Sequence, residues 1–282
     1  MKKANGDIAL SFEDLATKGV NYFKHLFKAP VEATIAEVIR VAQVFPRFIE
    51  EEDNEFLMAP ITKEEVESVL KSMQKEKSPG PDGWTVEFFQ HFFEFIGDEL
   101  VEVVEESRLS GSIYQPFNAT FLTLIPKSDI PGSFSDFRPI SLCTCVYKII
   151  AKIIAVRIKP FLSKNVSLEQ FGFLDGRQIH EAVGVAQEML HSLKVGKKKG
   201  VIVKIDLSKA YDRISWMFLR LLLTHLGFSF ELVRWIMSCV SSSSIAVLIN
   251  GAASSFSSPE RGLRQGCPLS PHRPFISDAP SK

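Results

Sequence analysis

An excess of charge of either sign is absent, since 33 Lys and Arg stand against 33 Asp and Glu over 282 residues. That removes the strongly basic total of many nucleic-acid binders, so any such role must rest on local charge rather than on the sum. Cysteine is scarce. Cys143, Cys145, Cys239 and Cys267 contain one C-x-C pair and no second pair at zinc spacing, which favours small buried thiols in a reducing interior. No apolar run reaches membrane-spanning length without charges. Near Met1 the polar Asn5-Gly6-Asp7 stands where a secretory signal would have its apolar core. A soluble intracellular protein is expected, in nucleus or cytoplasm. No segment has the composition of disorder, and 45% hydrophobic content suffices for one large or two modest domains.

Local patterns predict mixed helices and strands. Residues 1–60 are amphipathic but irregular, with Phe23, Leu26 and Phe27 beside Lys24 and Lys28. Thr62 and Glu65 have capping-box spacing, and Val66, Val69, Leu70 and Met73 recur on one helical face. The helix should stop before Pro79, where Pro79-Gly80-Pro81-Asp82-Gly83 makes a rigid turn. Phe88, Phe89, Phe92, Phe93 and Ile96 then restart helical spacing, which marks core rather than a base-stacking platform.

Further on, the expected elements are a strand at 119–125, a turn anchored by Pro139 and a long helix at about 142–161. A helix carrying Ile179, Val183, Ala186, Met189, Leu190 and Leu193 comes next. Helices at Trp216 to Leu226, closed by Gly227, and at Phe230 to Cys239 precede a hairpin turning at Asn250-Gly251. The lysine run at 194–204 and the acidic run at 50–55 are expected to be solvated loops.

Two boxes carry the chemistry. In VIVKIDLSKAYDRISW the β-branched Val201, Ile202, Val203 and Ile205 fit a buried strand with Asp206 at its carboxyl end. A rigid carboxylate there suits a divalent cation that keeps waters and shares substrate phosphates. Asp212, six residues on, should point elsewhere and tie down a neighbouring turn. The glycine-rich ERGLRQGCPLSP spans 260–271.

Six blocks, in order, carry a specific resemblance: KSPGPDGWTVEFF (77–89), TLIPK (123–127), FRPISL (137–142), QFGFLDGRQIHEA (170–182), IDLSKAYDRISW (205–216) and RGLRQGCPLSP (261–271). The sequence resembles a reverse transcriptase of the plant non-long-terminal-repeat, LINE-type retrotransposons. The resemblance implies an α+β fold, the polymerase-type fingers and incomplete palm of a right hand. It divides the chain into an N-terminal connector (1–60), fingers (61–200), partial palm (201–271) and an aberrant tail (272–282).

It also implies an RNA-directed DNA polymerase acting on RNA template, DNA primer and deoxynucleoside triphosphates with Mg2+ or Mn2+. Asp206 and the backbone carbonyl of Leu207 match the metal site. Tyr211 matches the bulky residue that excludes a 2′-hydroxyl, and Lys127 and Arg138 match the cations on the triphosphate. Gly262, Gly266 and Pro268 shape a loop that approaches the nucleotide, to which Gln265 offers an amide, while Arg264 touches phosphate of template or primer.

One departure stands out. The family carries a later aromatic-Ala-Asp-Asp box, whereas no Asp-Asp pair occurs in this sequence, and Pro271 is followed by HRPFISDAPSK, with Pro274 and Pro280 spaced to break a helix. Asp278 in that tail is not expected to replace the missing acids. An inactive fragment is therefore expected. The alternatives are a nucleic-acid-binding remnant or the unstable product of a decayed element. A viral-type RNA polymerase is disfavoured by the aromatic Tyr211, and a maturase by the PGPDG and FRPISL forms.

Overall fold

The computed structural model describes residues 11–28, 33–166, 170–171, 177–205, 209 and 211–270. The N-terminal segment, expected to be irregular, carries three helices: α1 (Phe12–Leu26), α2 (Ile35–Ala42) and α3 (Glu51–Leu57). Each has a local reason to start. Ser11 and Thr34 accept helix N–H groups from Asp14 and Glu37, and acidic first turns complement the helix dipole. The acidic run at 50–55 is thus largely the exposed side of α3 rather than a loop.

Helix α4 (Lys63–Lys71) begins at Thr62 as its sequence predicts, with Val66, Val69 and Leu70 buried. After the Pro-Gly turn, α5 (Val86–His91) and α6 (Phe93–Ser110) bury Phe89 and Phe93, so the phenylalanine cluster is largely core.

Strand β1 (Ala119–Pro126) pairs antiparallel with β2 (Phe137–Cys143), in register from Thr120↔Cys143 to Pro126↔Phe137. Pro139 therefore lies inside a strand, opposite Leu124, and not in a turn. The sheet order explains this: β2 is an edge strand, where a residue without an N–H removes no ladder bond. Because β2 runs to Cys143, helix α7 (Cys145–Asn165) starts late, at the Thr144 cap, and continues past Pro160. Its near-continuous apolar run makes it the centre of the main core, packed by α3, α4, α6 and the later helices.

Helix α8 (Ile179–Val195) forms where expected, but none of its residues is buried. Helices α9 (Trp216–Leu226) and α10 (Phe230–Ser241) follow as expected, α9 closed by Gly227 at φ 105°. Strands β3 (Ser244–Ile249) and β4 (Ala252–Ala253) form the hairpin, with Asn250 at φ 50° and Gly251 at φ 83°, the backbone of a type I′ turn. β3 pairs parallel with β1, giving the order β2-β1-β3-β4. Phe23, Leu26 and Phe27 at the end of α1 seal one face of this sheet against Leu122, Ile245, Val247 and Ile249.

The expected buried strand at 201–205 does not form. Val201 is 90% exposed, Ile202, Val203 and Ile205 are also exposed, and the segment has no regular structure. β-branching favours an extended backbone only where a neighbouring strand supplies packing, and no strand among the described residues pairs with this one. No helix among the described residues is long and apolar enough to cross a membrane. All four cysteines are buried and free.

Candidate nucleotide-binding site

The two boxes meet through short, mostly backbone bonds. The turn at 211–214 receives the glycine-rich loop: Gly262 N–H donates to the Ile214 carbonyl (2.8 Å) and Leu263 N–H to that of Tyr211 (2.7 Å). Trp216 Nε1 donates to the Gly262 carbonyl at 2.8 Å. Such close approach requires Gly262, at φ 87°, because a Cβ there would lie 2.8 Å from the Asp212 carbonyl oxygen.

Gln265 is gripped from two sides. Its carbonyl accepts the Ser141 N–H of β2 at 2.7 Å, and its Nε2 donates to Asp212 Oδ1 at 3.0 Å. Gly266 is exposed beside it, and Tyr211 is half-buried. Arg138 is exposed on the same strand as Ser141, three residues earlier. Lys127 stands at the end of β1, its N–H donating to the Asp136 carbonyl and its Nζ to that of Ser135, both at 2.8 Å. Asp206 and Leu207 lie outside the described residues.

Asp212 ties down a neighbouring turn, as its sequence position suggests. It is 3% exposed, and burial raises its pKa above the ordinary carboxylate value, against the opposing pull of the Gln265 hydrogen bond and of Lys209, Lys127 and Arg213. The sign for stability follows from linkage. Folded protein holds this proton more tightly than unfolded chain, so the contribution of Asp212 falls as pH rises from the unfolded pKa through the folded one. Asp212→Asn is predicted to raise the melting temperature at pH 7.5, with the gain shrinking as pH falls toward about 4. A gain that does not depend on pH, or a loss, would refute the assignment.

Arg264 corrects its sequence expectation. It is 8% exposed and points inward, its guanidinium 3.8 Å from the Tyr147 ring centroid. Nη1 donates to Thr120 Oγ1 at 2.8 Å and Nη2 to the Cys239 carbonyl. Tyr147 Oη lies 3.0 Å from Cys267 Sγ. Burial pushes the Tyr147 phenol and the Cys143 and Cys239 thiols up, so they stay neutral and Arg264 is a buried cation held by dipoles and a ring. The loop places this side chain beneath itself, where it cannot meet phosphate. An apolar cavity of about 60 Å³, lined by Trp216, Leu219, Leu223, Ile236 and Leu263, adjoins it.

Helix α1 was missed as part of the site. Its terminal carbonyls on Leu26 and Phe27 accept from Arg261 Nε and Glu260 N–H, each at 2.9 Å. Tyr22 takes a hydrogen bond from Lys209, whose ammonium also lies over the ring at 4.9 Å. The aromatic and apolar residues in the first 28 positions were the available signal, but nothing in their spacing names the sheet they cover. Among the described residues no group of three or more His, Cys, Asp or Glu fits a metal ion, and Asp212 is closed off by Gln265.

Residues 125–273 match the family model for reverse transcriptase (RNA-dependent DNA polymerase). The chain is 32% identical over 222 residues to the Transposon TX1 uncharacterized 149 kDa protein of Xenopus laevis, covering 79% of this chain and 17% of that protein. It is 26% identical over 214 residues to the retrovirus-related Pol polyprotein from type-1 retrotransposable element R2 of Popillia japonica, covering 75% of this chain and 29% of that protein. The corresponding polyprotein from element R2DM of Drosophila melanogaster is 24% identical over 217 residues, covering 77% of this chain and 20% of the relative. The chain thus spans 17% to 29% of the length of these curated relatives. With the family model covering more than half of it, this chain belongs to the reverse transcriptase family, as a domain of the non-long-terminal-repeat retrotransposon kind.

Proposed function

We propose that this chain forms the nucleotide- and template-engaging part of a retrotransposon reverse transcriptase, of the plant LINE type by the form of its blocks, and that it is inactive on its own. The observation that carries the reading is the fastening of the 211–214 turn to the 262–265 loop, with Gln265 and Gly266 presented beside Tyr211. The family generally uses divalent metal ions, RNA template, DNA primer and nucleotides. Asp206 and the Leu207 carbonyl are the proposed ligands of Mg2+ or Mn2+, which when bound neutralises triphosphate charge. Lys127 and Arg138 meet the triphosphate, Tyr211 excludes a 2′-hydroxyl, and Gln265 and Gly266 face the sugar and base. With no Asp-Asp pair in the sequence, a two-metal site would be short of carboxylates.

Binding to a primed RNA template tests this. Affinity is expected to be largely independent of sequence and to fall steeply with salt. Lys127→Ala with Arg138→Ala should weaken nucleotide binding without lowering the melting temperature, since both side chains are exposed. Affinity that is indifferent to salt, or a double variant that binds nucleotide as before, would refute the reading. A second reading, the unstable product of a decayed element, is favoured by the exposed β-branched run at 201–205, which no strand among the described residues pairs with and which is open to aggregation. Unprotected amides throughout α7 in hydrogen exchange would establish that reading and overturn the first.

A further inference from the structure

We infer that Trp84 stacks on an unpaired base of the template strand, so that the turn at 79–84 extends the site into a path for single-stranded RNA. The inference rests on the reading of this chain as template-engaging and deepens it by naming a place where the strand is held.

Strand β2 brings the turn and the glycine-rich loop together. One edge of β2 has no strand partner, and backbone groups two residues apart in a strand face the same edge. At Ser141 that edge is met by the Gln265 carbonyl, 2.7 Å from the Ser141 nitrogen. At Cys143, roughly 7 Å further along, it is met by the Pro-Gly turn. A Cβ on Gly80 would lie 2.8 Å from the Cys143 carbonyl oxygen and 2.5 Å from the Thr144 nitrogen, so only glycine lets the turn lie against the strand end. The turn then sets the indole. Gly83 N–H donates to the Gly80 carbonyl (3.1 Å) and Trp84 N–H to Asp82 Oδ1 (3.4 Å). The Trp84 ring lies 4.3 Å from that of Phe88, tilted by 37°, and Phe88 is in turn 4.9 Å from Phe92. A ring of α5 thus backs the indole, yet Trp84 is 51% exposed. A tryptophan held this way offers a π-face that any base can meet at little cost in side-chain freedom.

The surroundings suit a phosphate backbone. Lys75 and Lys77 are exposed on the segment that leads into the turn. Lys148 and Lys152, one turn apart on α7, lie along the same segment: Lys152 Nζ donates to the Ser72 carbonyl at 3.3 Å, and Lys148 is near enough to Asp82 to favour its charged form. The acids here are Glu76, Asp82 and Glu87, of which Asp82 and Glu87 already accept backbone N–H groups, from Trp84 and Glu76. Four cations can therefore follow the phosphates while the ring takes a base. A protein-docking patch would be apolar at its centre and depleted of lysine, which this surface is not.

The full chain is titrated with a primed RNA template whose unpaired overhang carries adenines, and with the same duplex whose overhang is abasic ribose phosphate. The two carry the same charge, so a difference in affinity reports the bases alone. The native chain is expected to bind the base-bearing overhang about five- to tenfold more tightly, Trp84→Phe to keep most of that preference, and Trp84→Ala to bind both within about twofold. A preference that persists in Trp84→Ala overturns the inference, and so does a native chain without preference. Tryptophan fluorescence gives a second readout, since Trp235 is fully buried and Trp216 is hydrogen-bonded to the Gly262 carbonyl. The base-bearing RNA should quench the native chain and lose most of that effect on Trp84→Phe, and quenching of equal depth in both overturns the inference. A native chain that binds neither RNA refutes the template-engaging reading and this inference with it, whereas equal binding of both RNAs removes the inference and leaves that reading intact.

Discussion

Arg264→Ala is expected to cost on the order of 3–5 kcal/mol of stability and to leave the salt dependence of nucleic-acid binding unchanged. The guanidinium bridges β1, through Thr120, to the end of α10, through the Cys239 carbonyl, while lying on the Tyr147 ring of α7. Truncation would leave those acceptors buried without their donor and would open space next to a cavity that Arg264 already lines. A phosphate contact behaves in the opposite way, losing little stability while the salt slope falls by about one ion. Denaturant unfolding and a salt titration on the variant separate the two.

Arg157→Ala should be as damaging. The side chain is 7% exposed and meets both oxygens of Glu65, with Nε at 2.7 Å and Nη2 at 2.6 Å. Its remaining donors go to the carbonyls of Leu57 (3.1 Å), Ala59 (2.7 Å) and Pro60 (3.3 Å). One guanidinium thus ties α7 to the α3–α4 connection and to the first turn of α4. Losing it strands a half-buried carboxylate and several carbonyls, with an expected cost of about 3–5 kcal/mol. Arg157→Ala with Glu65→Ala should recover part of that loss, because the second change removes the orphaned charge. A single variant within about 1 kcal/mol of the native chain would show that the pair contributes no more than a surface bridge.

The elements that could be read from the sequence are those whose chemistry is local. Trp216 to Gly227 was bounded by an apolar period and a glycine at positive φ, and Asn250-Gly251 specified its hairpin by backbone conformation alone. The start of α4 at Thr62 was legible in the same way. What failed depended on distant partners. Pro139 looked like a turn because nothing nearby showed that β2 would be an edge, and 201–205 looked buried because β-branching does not report whether a neighbouring strand is present. The site divided along the same line. The two boxes were legible as motifs, but neither their contact through the 211–214 turn nor the inward course of Arg264 was, since arginine in a glycine-rich loop ordinarily reads as surface. Likewise Phe23 and Leu26 were visible as apolar residues, while their role against Ile245 and Val247 arises across more than 200 positions.

Primer extension tests the account most directly. The chain is given a primed RNA template, deoxynucleoside triphosphates and Mg2+ or Mn2+, beside an Asp206→Ala control. The account predicts that neither protein extends the primer, because a sequence with no Asp-Asp pair supplies too few carboxylates for a two-metal site. Extension by the native chain that Asp206→Ala abolishes would contradict it and would mean that another acid completes the site.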